Sequence, residues 1–468
     1  MEQKSIRKND LFRLKVEEMN NLGCGIGRLS GGYREDGTIA FVKGAVTGET
    51  VEAVVIKLHK SYIVGKLHKI ITPSPKREGA DLCRAPLGCG GCIYRPISYE
   101  YEKELKREHV ENCFRHEGLS DVTVLPVLSD GRVRGYRNKA QYAVATGKGG
   151  VEAGFYASKT HRLISATDCA LQPARFSEIV AYLCSFINKY KIPAYNEETG
   201  KGLIRHFYLR EGVGTGEILV TVVVRDAKFP HGYEMARELR RRFPEIVGVL
   251  LNVQPANTNV VLGERYIVLD GERTLHDRLC GLDFEIDPAA FWQVNHDGAE
   301  LLYGLARERA ALSGGEVLLD LYCGIGSIGL SMADGVKELY GIEIVPEAVE
   351  CAKRNAERNG IENAFFYCGD ASSAERLLSA AEEARGERIV FDVVVIDPPR
   401  KGTTRELIDA IAERSIPRVV YVSCGPDTLA RDCKYFRERG YEIGAVQPVD
   451  LFPRTGHVES VVCLERSL

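Results

Sequence analysis

The C-terminal part of this chain reads as a doubly wound, Rossmann-like α/β domain, and three stretches carry that reading. After Glu316, strand and helix patterns alternate: Val317 to Leu321, a helix from about Ile328, Glu338 to Ile342, a helix from Pro346 to Asn359, then Ala364 to Tyr367. Alternation of this kind builds a mainly parallel sheet. Two apolar runs follow, Phe391 to Ile396 and Val419 to Val422. They stop abruptly at Asp397-Pro398-Pro399-Arg400 and at Ser423-Cys424-Gly425-Pro426. Parallel strands ending in such turns deliver a carboxylate, an arginine and a thiol to one sheet edge, where open α/β folds bind their ligands.

Bulk composition sets the wider frame. At 468 residues the chain exceeds one hydrophobic core, and 44% hydrophobic with 27% charged residues is ordinary for soluble globular proteins. No uninterrupted apolar run reaches membrane-spanning length and Met1 to Lys15 is charged throughout, so no membrane association is expected and the expected location is the cytoplasm. Fourteen cysteines in such a chain read as thiols, metal ligands and a nucleophile, not as a disulfide framework. The net charge of -3 hides an asymmetry: residues 1 to 77 hold fourteen Lys and Arg against eight Asp and Glu. A basic N-terminal module suits a polyanion partner, although a solvated charged face has the same composition.

Residues 1–71 show short strands broken by glycines: Leu11 to Glu17, Thr38 to Val42, Val51 to Leu58 and Tyr62 to Ile70. With Gly23, Gly25, Gly27, Gly31, Gly32 and Gly48 at the turns, they predict a small antiparallel barrel of the oligonucleotide-binding sort. Lys57, His59, Lys60, Lys66, His68 and Lys69 with Tyr62 on its last two strands suit single-stranded RNA. Thr72-Pro73-Ser74-Pro75 reads as a linker into a central α+β domain, residues 72–286. There Cys83, Cys89 and Cys92 lie among glycines, and Cys169 is the best-placed fourth ligand. Clustered thiolates hold soft metals and iron-sulfur clusters, with zinc the second choice. The spacing is not that of radical enzymes using S-adenosylmethionine. A charged amphipathic helix spans Tyr99 to His116. Arg132, Arg134, Arg137 and Lys139 around Tyr136 read either as a phosphate-tracking edge or as a charged hairpin. The pattern changes after Phe291-Trp292-Gln293-Val294-Asn295, and residues 287–468 form the catalytic domain.

Asp320-Leu321-Tyr322-Cys323-Gly324-Ile325-Gly326-Ser327-Ile328-Gly329 follows a strand and opens a helix, and Glu343 ends the next strand. Such glycines allow a tight turn and close ligand approach, while the acidic group accepts ribose hydroxyls. A dinucleotide and S-adenosylmethionine both fit this spacing. Gly369-Asp370 and Asp397-Pro398-Pro399 after the third and fourth strands favour S-adenosylmethionine.

Together, Tyr322 to Gly326, Asp397 to Arg400, Ser423 to Pro426 and Thr455-Gly456-His457-Val458-Glu459 closely resemble the RNA (uracil-5-)-methyltransferases. The likeness extends to Phe291 to Asn295, to the clustered cysteines and to the barrel, which resembles a TRAM domain. The resemblance implies a class I S-adenosylmethionine-dependent methyltransferase domain. It implies that Cys83, Cys89, Cys92 and Cys169 bind a 4Fe-4S cluster, and that part of the helix near Tyr99 packs on the catalytic domain. Members with both cluster and barrel usually modify 23S rRNA, so that RNA is the expected partner of a monomeric protein, with no DNA partner.

The chemistry follows from uracil itself. Carbon 5 is a weak nucleophile until a thiolate adds to carbon 6, and Cys424 is the candidate thiolate. Arg400 or His457 is expected to lower its pKa. A base must then take the carbon 5 proton. Glu459 matches the family's glutamate, and burial would raise its pKa usefully. Gln293 is expected at the methionine end of the cofactor, Tyr322 and Glu343 at its adenosine, and Asp370 at its adenine edge. Gly324 and Gly326 shape the turn, and Asp397 faces cofactor or uracil. The target base must be unpaired or flipped out. The alternatives are a tRNA target, a cytosine-5 methyltransferase and a non-catalytic iron-sulfur RNA-binding protein. The second would place a cysteine where Arg400 stands, and the third predicts decayed motifs, of which none is seen.

Overall fold

The computed structural model describes residues 6–467 apart from 30–36, 79–82, 84, 86–87, 159, 372–378, 380–381 and 384–385. Its N-terminal part is a six-stranded sheet in the order Leu11–Lys15, Thr50–Leu58, Tyr62–Thr72, Ile39–Lys43, Cys24–Arg28, Glu18–Met19. Alternate residues such as Phe12, Leu14, Val42, Val51, Ala53 and Val55 point into one core, as the period of a half-buried strand requires. The Glu17 amide donates to the Ile26 carbonyl at 2.8 Å, which extends the pairing of Glu18–Met19 with Cys24–Arg28.

One strand here departs from the sequence expectation, because Gly25 and Gly27 lie within Cys24–Arg28 and not at turns. A Cβ on Gly25 would come 2.8 Å from the Ala45 carbonyl oxygen, and one on Gly27 would come 2.2 Å from that of Lys15. Backbones approach so closely in this small sheet that only glycine fits. The expected linker is also anchored: Ser74 is buried, and the Arg77 guanidinium reaches Glu49 and donates to the Gly44 carbonyl at 2.7 Å.

A seven-stranded sheet follows in the order Arg265–Gly271, Ile246–Val253, Ile218–Val224, Ile204–Glu211, Lys139–Gly147, Gly150–Tyr156, Leu163–Ser165. The helices Ala174–Lys189 and Gly232–Arg242 share its core through Phe176, Leu183, Met235 and Leu239. The cation-rich run before it is not a continuous phosphate-tracking edge. Tyr136 is buried and donates to the Pro453 carbonyl at 2.9 Å, Arg137 turns toward the clustered cysteines, and of the four cations only Arg132 and Arg134 are exposed.

The C-terminal sheet has the order Ala364–Cys368, Glu338–Glu343, Val317–Leu321, Val393–Ile396, Arg418–Ser423, Glu459–Arg466, Tyr441–Ile443, with Gln447–Val449 also paired to Glu459–Arg466. Its first five strands are parallel, and Glu459–Arg466 runs antiparallel to Arg418–Ser423. This is the doubly wound architecture expected, with one antiparallel strand added. The helix expected from about Ile328 is short, Ser327–Leu330. Within it, the missing Cβ of Gly329 lets the backbone pack on the Asp320 carboxylate. One face of the sheet is covered by Pro426–Glu438, Arg405–Glu413 and the remote helix Tyr99–His116, whose Val110 and Phe114 enter the same core as Leu429 and Phe436.

Candidate active site

The antiparallel strand decides what stands next to Cys424. Ser460 pairs with Ser423, so Glu459, the first residue of its strand, arrives beside the end of Arg418–Ser423, where Cys424 follows. The Ser423 hydroxyl accepts the Gly425 N–H at 3.1 Å, and Pro426 opens the next helix, where proline costs no hydrogen bond. Thr428 Oγ1 donates to the Arg400 carbonyl at 3.2 Å, tying the cysteine turn to the Asp397–Arg400 turn. Cys424, Glu459, Asp397 and Arg400 thereby share one end of the sheet.

Their electrostatics follow from confinement. Glu459 is buried, and burial, helped by Asp397 and opposed by Arg400, pushes its carboxyl up to about 8. Burial alone raises Asp397 to about 7. The Cys424 thiol is pushed up to about 11, first by burial and then by Glu459 and Asp397, with Arg400 pulling the other way. The expectation of a lowered thiol pKa is therefore corrected: two carboxyl groups and desolvation outweigh one guanidinium. Nor does the structure favour a charged His457, since burial and then the cations Arg400, Lys106 and Arg137 lower its pKa. Its Nε2 lies 3.4 Å from Arg400 Nη2, and because arginine only donates, that nitrogen is an acceptor.

A second group forms the cofactor side. Tyr322, Gly324 and Gly326 all have positive φ, at 65°, 57° and 84°. A Cβ on Gly324 would meet nothing within 4 Å, so this turn opens onto free space. Glu343 Oε2 accepts the Gly324 N–H at 3.1 Å and Oε1 accepts the Val345 N–H at 2.9 Å, which fixes the carboxylate at the strand end. Tyr322 Oη lies 3.4 Å from Thr403 Oγ1, and burial raises its phenol pKa, opposed by that contact and helped by the exposed Asp370. Asp320, to which the sequence reading gave no role, stands between the two groups. It accepts the Gly329 N–H at 2.9 Å, and burial, with Asp397 and Glu343 adding to it, pushes its carboxyl up to about 8. Gln293 is buried on a segment anchored at both sides: its carbonyl accepts from Asn138 Nδ2 at 3.0 Å, and Asn295 caps the helix His296–Ala310.

Apart from this site, Cys83, Cys89, Cys92 and Cys169 line one cavity with Arg95, Arg134, Arg137 and Arg454. Burial and then the other three cysteines push the Cys92 thiol up to about 12, and Cys169 rises to about 11 by burial with Cys83 and Cys89 adding. Arg95 holds the loop through the Cys83 and Ala85 carbonyls at 2.6 and 2.8 Å. Among the described residues no three His, Cys, Asp or Glu side chains are grouped so as to hold a metal ion. Four soft donors that oppose one another's ionisation are nevertheless the donor set a positively charged iron-sulfur core satisfies.

Residues 196–467 match the family model described as tRNA (Uracil-5-)-methyltransferase. The chain belongs to this uracil-5-methyltransferase family. A Clostridium acetobutylicum protein described as an uncharacterized RNA methyltransferase is 39% identical over 98% of each chain, and one of the same description from Bacillus cereus is also 39% identical over 98% of each. Among solved structures, the Pyrococcus abyssi tRNA (uracil-54, C5)-methyltransferase in complex with S-adenosyl-L-homocysteine matches with a TM-score of 0.75 and 27% identity, over 97% of this chain and 99% of that one. The uracil-5-methyltransferase fold is thus an S-adenosylmethionine-dependent one, and this member of the family is an RNA methyltransferase.

Proposed function

We propose that this protein methylates carbon 5 of a specific uridine in 23S rRNA, with Cys424 as nucleophile and Glu459 as base. The observation that carries this is the juxtaposition of a strand-end thiol with a buried carboxyl whose pKa is pushed up to about 8. S-adenosylmethionine supplies an electrophilic methyl group when bound, and Gly324, Gly326, Tyr322, Glu343, Asp370, Asp397 and Gln293 are the residues that would hold it. Cys424 adds as thiolate to carbon 6 of the uracil, and carbon 5, made enolate-like, takes the methyl group. Glu459 then accepts the carbon 5 proton. The electron pair restores the double bond as the carbon–sulfur bond breaks and Cys424 leaves. Arg400 favours the anionic intermediate, because a preorganised cationic donor acts more strongly where water is excluded, and it opposes the cost of desolvation there.

Cys83, Cys89, Cys92 and Cys169 would hold a 4Fe-4S cluster of structural purpose, since methyl transfer needs no electron. The N-terminal sheet, read as a TRAM barrel, would track RNA with the exposed Lys57, Lys60, Lys66 and Lys69. His59 stacks on Tyr62 there at 4.2 Å between ring centres. A tRNA target is the second reading. The tRNA-modifying Pyrococcus enzyme matches nearly the whole chain, so barrel and cysteine loop do not by themselves separate the two RNA classes. Nucleoside mass spectrometry after incubation of unmodified 23S rRNA and tRNA transcripts with S-adenosylmethionine tests both. New 5-methyluridine in 23S rRNA only is expected, tRNA-only product selects the second reading, and 5-methylcytidine alone overturns both.

A further inference from the structure

Residues 450–458 form the loop that leads into Glu459, and its closing cross-strand pair is Val449 with Glu459. A buried ionic cluster that the proposed chemistry does not use holds this loop. Lys106 Nζ donates to Asp450 Oδ1 at 2.8 Å, to the Phe452 carbonyl at 3.2 Å and to Glu102 Oε1 at 2.8 Å. Tyr99 Oη donates to Asp450 Oδ2 at 3.0 Å, and the Arg454 N–H donates to Glu102 Oε1 at 2.6 Å. The Lys106, Glu102 and Asp450 side chains are at most 1% exposed.

Neighbouring parts of the chain grip the same loop. The Arg454 carbonyl accepts the Ile93 N–H at 2.9 Å, one residue from Cys92, and the Arg454 side chain lines the cysteine cavity. A Cβ on Gly456 would come 2.0 Å from the Asn21 carbonyl oxygen of the barrel. Burying three charges, with the Arg454 guanidinium 3.7 Å from Glu102 Oε2, is an inefficient way to gain stability, because desolvation cancels most of the attraction. Its distinctive effect is to fix a geometry. Cys424 is set by the Arg418–Ser423 strand and its own turn, neither of which Lys106 bonds.

We propose that Lys106 is a positioning residue for Glu459, holding the 450–458 loop through Asp450 and Phe452 so that the carboxylate at its end meets the carbon 5 proton. The proposal rests on the roles of Cys424 and Glu459 given above. It assigns Lys106 to elimination and not to addition: the proton on carbon 5 passes to Glu459, the C–H electron pair becomes the carbon 5–carbon 6 double bond, and the bond from carbon 6 to Sγ breaks.

The test uses the full-length protein, methyl-tritiated S-adenosylmethionine, and transcripts of 23S rRNA and tRNA. It compares label released in RNA with label bound to denatured protein after nuclease digestion. Lys106→Met is expected to slow product release by about tenfold to a hundredfold, the scale of a base displaced by an ångström. Methylated adduct should accumulate on the protein as in Glu459→Gln. Lys106→Met with Asp450→Asn, which keeps the Glu102–Arg454 charges balanced, should behave alike. Tyr99→Phe should accumulate less adduct, and Lys106→Arg should restore release. A merely structural lysine would lower adduct formation and release in parallel. That result, or adduct in Glu459→Gln but in neither Lys106→Met nor Tyr99→Phe, overturns the proposal alone. If Lys106→Met fails to fold, Tyr99→Phe and the double variant decide on the same readout. Absence of adduct in Glu459→Gln overturns the base assignment and the proposal with it.

Discussion

Substituting Glu459→Gln should stabilise the catalytic domain while abolishing turnover, and the gain should depend on pH. The folded carboxyl titrates at about 8 against an ordinary value of 4.5, chiefly because it is buried. Between those values the folded state holds a proton that the unfolded chain has released, so stability falls as pH rises; above about 8 the loss is complete, and below 4.5 it vanishes. Each pH unit in that window is worth about 1.4 kcal/mol. From pH 6 to pH 8 the wild type should therefore lose up to about 2.7 kcal/mol relative to the glutamine variant, and about 2 kcal/mol once half-titration at the folded pKa is counted. For a domain of this size that is roughly 4–8 °C in Tm. Calorimetry of both proteins at the two pH values, following the transition of the catalytic domain, reads the difference. A gain that is the same at both pH values, or a variant that is less stable at pH 8, would refute the buried-carboxyl reasoning.

The same groups shape the rate. Glu459 must be ionised to take a proton and the Cys424 thiol, pushed up to about 11, must lose one, so kcat/KM should climb steadily from pH 6 to pH 9. A flat profile would contradict this. Gly329→Ala places a Cβ 2.6 Å from Asp320 Oδ2 and 3.0 Å from Leu339 Cδ1. It should cost about 1–3 kcal/mol of stability and weaken S-adenosylmethionine binding measured by calorimetry. Cys169→Ser should lower the iron and sulfide content from about four of each per chain, the stoichiometry of a 4Fe-4S centre. Unchanged content would remove Cys169 from the ligand set.

Much of the C-terminal sheet was legible because its central strands are buried and rich in β-branched residues, as at Val393–Ile396 and Arg418–Ser423. The turns that end them carry the candidate chemistry, so locating the strands located Asp397, Arg400 and Cys424. Less legible was the insertion of Glu459–Arg466 antiparallel beside Arg418–Ser423, a pairing across the sheet that local pattern does not encode. The Cys424 pKa was misjudged for a related reason. Sequence shows Arg400 nearby but not that Glu459 and Asp397 face the same thiol. Lys106 looked like one more charge on the polar face of the amphipathic helix Tyr99–His116. Its burial depends on Asp450, distant in sequence, although Glu102 and Lys106 flanking the apolar Leu105 were a faint signal. Gly25 and Gly27 looked like turns because close backbone approach within a strand selects the same residue as a turn does.

The central claim is a covalent bond between Cys424 and carbon 6 of a uracil. RNA transcribed with 5-fluorouridine tests it, since fluorine at carbon 5 leaves no proton for Glu459 to remove and elimination stops at the adduct. Incubation with S-adenosylmethionine, nuclease and protease digestion, and mass spectrometry of the peptides would locate the bond. A methylated fluorouridine on Cys424, absent from Cys424→Ala, is the result expected. An adduct on another cysteine, or methylation of ordinary RNA by Cys424→Ala, would contradict the mechanism.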